Sequence, residues 1–124
     1  MRKLKLPLAM VGFIVAVTGP VLAQGTGPNG GLLGGTGTHQ TELVVSPTEL
    51  TVYVLEQGKP HDTKGANMRA AVQQAGKTTT LKLAEQGGNK LVAKLPVPLE
   101  KGAIVVVTGK DSHGDQLNAR YVIK

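Results

Sequence analysis

The chain has 124 residues, and removal of a 23-residue export signal leaves 101, enough for one small domain and too few for a second, catalytic one. Its formal net charge of +6 falls to +3 once Arg2, Lys3 and Lys5 leave with the signal, which excludes the dense basic face, with stacking aromatics, that a nucleic-acid binder needs. Beyond the signal the aromatics are Tyr53 and Tyr121, and no cysteine is present, so disulfides, thiol catalysis, Cys-ligated zinc and lipidation through Cys are excluded.

Residues 1–23 start with Arg2, Lys3 and Lys5, continue with an uncharged stretch from Leu6, and end Gly19-Pro20-Val21-Leu22-Ala23. This is the three-part pattern of a signal peptide, with small side chains at Val21 and Ala23 for a peptidase. Cleavage is expected after Ala23, with the product in a bacterial periplasm. No later segment is long and apolar enough to span a membrane.

Residues 24–38 hold seven glycines, one proline and no charge. They bury too little apolar surface to offset the entropy of an ordered backbone and are expected to form a flexible tether. A phosphate-cradling loop is set aside, since no Lys-Ser/Thr pair follows and no strand precedes.

From His39 onward, short β-branched runs alternate with turn residues, the periodicity of strands. The first run is 42–46. In 49–56, Leu50, Val52 and Val54 share one face, and Gly58-Lys59-Pro60 then reads as a turn. Residues 68–75 place Met68, Ala70 and Val72 together, and 78–85 turn Leu81 and Leu83 inward with Lys82 outward. The 66–74 window holds good helix formers but is too short to displace the strand. Gly87-Gly88-Asn89 suits a hairpin turn. Residues 90–95 put Leu91, Ala93 and Leu95 inside with Lys90 and Lys94 outside, and Pro96-Val97-Pro98 leaves the ladder. Residues 103–108 are almost continuously apolar, as in a central strand covered on both faces, with Val106 assigned to the core. Residues 116–123 turn Leu117, Ala119, Tyr121 and Ile123 inward, and Asn118 and Arg120 outward. Seven short strands at this spacing predict an all-β fold, an immunoglobulin-like antiparallel sandwich over residues 39–124.

Thr41-Glu42-Leu43-Val44-Val45, Leu50-Thr51-Val52-Tyr53-Val54, Gly58-Lys59-Pro60, Gly65-Ala66, Gly87-Gly88-Asn89-Lys90-Leu91 and Ala119-Arg120-Tyr121 follow one another in an order that resembles a group of small exported bacterial domains. Those domains are immunoglobulin-type sandwiches that accompany periplasmic parts of heavy-metal efflux systems. The resemblance covers nearly all of 39–124 and implies the sandwich fold and an accessory role. Members often carry several histidines near the first strand, where this chain has His39 followed by Gln40 and Thr41.

No catalytic constellation is spelled out. There is no Gly-x-Ser-x-Gly elbow, and Glu49 and Glu56 bracket one strand too far apart to cooperate within it. A non-enzymatic role is therefore expected. Asp111-Ser112-His113-Gly114-Asp115 sets an imidazole between two carboxylates, an N/O donor set that suits Zn²⁺ or Cu²⁺. The same residues also make a soluble turn between the last two strands, and ordering three ligands on one loop costs entropy. His61-Asp62 is a similar loop pair. His39 lies directly after the tether and is free to reach a site, and Met68 offers a thioether but falls on an inward face. Lys82, Lys90, Lys94 and Arg120 project outward, as a partner-binding patch or as a solvated face that blocks edge pairing. The first expectation is a tethered accessory module that binds a protein of the cell envelope. The alternative is a direct copper or zinc carrier built from His113, Asp111 and Asp115 with His61 or His39.

Overall fold

Alternation of apolar and polar side chains turns one face of every strand toward a shared interior, and the result is all-β. The computed structural model describes residues 25–36 and 38–124, so the export signal expected at 1–23 lies outside the described residues. The strands are β1 (Leu32–Thr36), β2 (His39–Val45), β3 (Glu49–Glu56), β4 (Lys59–Pro60), β5 (Asn67–Gln74), β6 (Lys77–Glu85), β7 (Lys90–Lys94), β8 (Ile104–Lys110) and β9 (Gln116–Val122). All pairings are antiparallel, in the order β1-β2-β3-β7-β6-β5-β8-β9, with β4 alongside β3. Each of the seven runs read from the sequence is a strand, and the 66–74 window is β5 rather than a helix.

The strands form one continuous sheet, in which β6 and β7 are joined by two residue pairs, Ala84 and Glu85 of β6 with Val92 and Leu91 of β7. Across the opposite seam β1 and β2 pack against β9 without ladder pairing, so the sheet is nearly closed into a barrel. Leu43, Leu50, Val52, Met68, Ala70, Leu91, Val105, Val107 and Tyr121 fill the interior, and each buried Leu, Val or Met among them contributes roughly 1.5–3 kcal/mol for withdrawal from water. Burial of the Tyr121 hydroxyl raises its pKa far above the ordinary phenol value. The hydroxyl is satisfied by donating to the Thr41 carbonyl at 2.7 Å, with the Thr41 hydroxyl beside it.

Three expectations are corrected. Part of the expected tether is ordered: β1 pairs along β2, from Leu32 opposite Leu43 to Thr36 opposite His39. Two side-chain features that composition conceals hold it. Glu42, fully buried, accepts from Asn29 N (2.8 Å), Asn29 Nδ2 (3.0 Å) and Gly31 N (2.7 Å). Gly34 lets β1 close on β9, since a Cβ there would lie 2.9 Å from the Tyr121 ring. Second, Lys59 and Pro60 of the expected turn form the short strand β4 against Glu56 and Leu55. Third, β8 is covered on one face only: Val105 and Val107 point inward, whereas Val106 sits on the outer face, paired across to Ala71 and Arg120 and half-buried. An apolar run conceals which face is buried, because both parities read alike.

Candidate metal centre

The inward-facing parity of four strands continues past the hydrophobic core at one end of the barrel, and there the residues become titratable. On β2 the inward series Leu43, Thr41 ends at His39. On β3 Val52 and Val54 lead to Glu56, directly opposite His39. His61 follows β4 and donates its backbone N–H to the Val54 carbonyl at 2.9 Å, which extends the register and places it on the same face. On β8 Val105, Val107 and Gly109 lead to Asp111, and on β9 Tyr121, Ala119 and Leu117 lead back to Asp115. Gly109 permits this approach: at φ +145° it lies so close to β5 that a Cβ would collide with the Asn67 carbonyl.

Residues 111–115 form the turn between β8 and β9. Asp111 N donates to the Asp115 carbonyl at 2.9 Å and Gly114 N to the Asp111 carbonyl at 3.0 Å. The turn is built around the Asp111 carboxylate. Its Oδ1 accepts from His113 N (2.9 Å) and Asp115 N (2.8 Å), which fixes the loop that sequence reasoning treats as costly to order.

The other oxygen decides the site's character. Asp111 Oδ2 has no hydrogen-bond partner although its side chain is only 1% exposed. His61 Nε2 lies 3.5 Å away and His39 Nε2 4.0 Å away, in ion-pair reach without hydrogen-bond geometry. His39 Nε2 is also 3.3 Å from Asp115 Oδ2. Donor atoms about 2.0–2.1 Å from a tetrahedral zinc stand about 3.3 Å apart. The His39–Asp115 and His61–Asp111 spacings of 3.3 and 3.5 Å already lie near that value, whereas the His39–Asp111 spacing of 4.0 Å exceeds it by about 0.7 Å. Burying a carboxylate oxygen without a hydrogen bond carries a desolvation penalty that a neighbouring positive charge offsets.

A second group adjoins the first. His61 Nδ1 is 3.1 Å from Glu56 Oε1, and the His61 and His113 rings meet edge to face with centroids 4.8 Å apart. The potential ligand atoms of Glu56, His61 and His113 lie within 4.8 Å of one another, as do those of His39, Asp111 and Asp115. Exposure is graded: Asp111 and His61 are buried, His39 is 31% exposed and Asp115 54% exposed through their side chains, so solvent reaches one side.

All five residues singled out as metal candidates, His39, His61, Asp111, His113 and Asp115, thus come together at one end of the fold. Sequence reasoning missed Glu56 because it was compared with Glu49 along one strand, and its partner is across strands. Continuation of the inward parity from Val52 and Val54 to Glu56 was the available signal. Asp62 turns away to accept from Lys64 N at 2.9 Å, and Met68 lies in the hydrophobic core. Among the suggested outward cations, Lys82 stands across from Arg69 on β5, and Arg120 lies on β9 at the end of the strand order. No protein-family model, curated protein or solved structure matches the chain.

Proposed function

We propose that this is an exported, non-enzymatic β-domain that holds a divalent transition-metal ion, Cu²⁺ or Zn²⁺, at one end of its barrel. The observation that carries this reading is Asp111 Oδ2, a buried carboxylate oxygen without a hydrogen bond that lies 3.5 and 4.0 Å from two imidazole nitrogens. His39, His61, Asp111 and Asp115 supply two nitrogen and two oxygen donors, a set without sulfur that suits Zn²⁺ and Cu²⁺ and discriminates against Cu⁺. The signal pattern of residues 1–23 supports a periplasmic location, and an antiparallel sheet in which β6 and β7 share two residue pairs is compatible with an immunoglobulin-like sandwich. The resemblance to accessory domains of heavy-metal efflux systems fits the same reading. An ion held at a partly exposed site is available to a partner protein of the envelope, so the accessory and carrier roles merge.

Titration calorimetry of the purified protein with Zn²⁺ and with Cu²⁺ tests this. We expect binding in the micromolar range or tighter, weakened at least about tenfold by Asp111→Asn or His39→Ala, a loss of about 1.4 kcal/mol or more. Binding no tighter than millimolar, or binding indifferent to both substitutions, rejects the reading.

A further inference from the structure

The end of the barrel carries more ligands than one ion takes. Six side chains, three imidazoles and three carboxylates, divide into two triads, and each triad brings its ligand atoms within 4.8 Å of one another. His39, Asp111 and Asp115 form the first triad, with His61 Nε2 3.5 Å from Asp111 Oδ2. Glu56, His61 and His113 form the second. His61 belongs to both by its shape. Its two ring nitrogens point in different directions, Nδ1 to Glu56 Oε1 at 3.1 Å and Nε2 toward Asp111, and its ring is buried between them.

We propose that this end of the barrel binds two divalent ions, the second held by Glu56, His61 and His113, with the His61 ring standing between the two. The inference rests on the metal reading above and adds to it a second site and a stoichiometry. A neutral imidazole has one free lone pair and one N–H, so His61 can serve both ions only by releasing its ring proton to solvent as the second ion binds. Three carboxylates together with that imidazolate carry four negative charges against the four positive charges of two divalent ions. Cu²⁺ and Zn²⁺, which bind imidazole nitrogen strongly, are the ions this donor set favours. The exposed ring of His113 and the part-exposed Glu56 leave the second position open to exchange, whereas Asp111 anchors the first from within.

The experiment combines calorimetry and electron paramagnetic resonance of the full protein loaded with Cu²⁺, with circular dichroism to confirm that each variant folds. We expect two equivalents per chain in the wild type and a half-field signal from two interacting copper ions. Glu56→Gln together with His113→Ala should bind one equivalent and give the spectrum of an isolated ion. His39→Ala together with Asp115→Ala should likewise remove one equivalent and the half-field signal. One equivalent in the wild type, with an isolated-ion spectrum, overturns the second site and leaves the single-ion reading standing, with Glu56 then orienting His61 through Nδ1. No binding at all overturns both, and two equivalents that survive Glu56→Gln with His113→Ala place the second ion elsewhere and overturn the proposal.

Discussion

The two ends of the barrel are closed by opposite chemistry. At one end the inward-facing series run into His39, Glu56, His61, Asp111 and Asp115. At the other, Val72 and Leu81 meet Leu95 and Leu99 around an apolar cavity of about 400 Å³ where β6 and β7 separate. Gln74 ties that end, its side chain donating to the Pro98 carbonyl at 3.0 Å and accepting from Glu100 N at 2.8 Å. An apolar plug stabilises a small fold through burial alone. Imidazoles and carboxylates in the equivalent position cost desolvation and leave one buried oxygen without a hydrogen bond, a debit that an apolar residue would remove. Stability explains the apolar end, and it does not explain the titratable one.

The largest effect should come from the core that the ends share. Leu91, fully buried, truncated to Ala should destabilise the domain by about 2–4 kcal/mol in urea denaturation, with metal stoichiometry unchanged. Loss of metal binding in that variant while it remains folded would blur the distinction between core and site. Next in size is the ion itself. At 100 times its Kd, Zn²⁺ should add about 2.7 kcal/mol to the wild type and much less to Asp111→Asn, whereas Leu99→Ala at the apolar end should keep the full gain. An equal gain in Asp111→Asn would show that the ion sits elsewhere.

A smaller effect probes the seam between β2 and β9. Burial raises the Tyr121 phenol, so the folded protein keeps this proton where the unfolded chain, with an ordinary value near about 10, has lost it. The corresponding stability is fully present below about pH 10 and is lost as pH rises beyond it. Phenolate absorbance from Tyr121 should therefore appear only with unfolding. Tyr121→Phe should cost about 0.5–1.5 kcal/mol for the lost hydrogen bond. The smallest effect is expected at Lys94, exposed on the outer face of β7, where substitution by Ala should change stability by less than about 0.5 kcal/mol.

Strand periodicity made much of the fold legible: Leu91 and Ala93 alternate with Lys90 and Lys94, and Leu117, Ala119 and Tyr121 with Asn118 and Arg120. Closure was not legible, because it depends on Gly34 meeting Tyr121 and on Glu42 capturing Asn29 and Gly31, contacts between residues distant in sequence. The individual candidate ligands could be read as residue types. Their convergence could not, since the His39–Glu56 register and the extension of β4 to His61 are properties of pairing rather than of any local run. The loop 111–115 looked costly to order for the same reason: the two hydrogen bonds that Asp111 Oδ1 accepts from its own turn are geometric facts.

The most direct test of the proposed metal centre is anomalous diffraction at the zinc edge from crystals of the protein soaked in Zn²⁺. The account predicts a strong peak within bonding distance of Asp111 Oδ2 and the Nε2 atoms of His39 and His61. Crystals saturated with Zn²⁺ that show no peak there, with Asp111 Oδ2 still unligated, would contradict it.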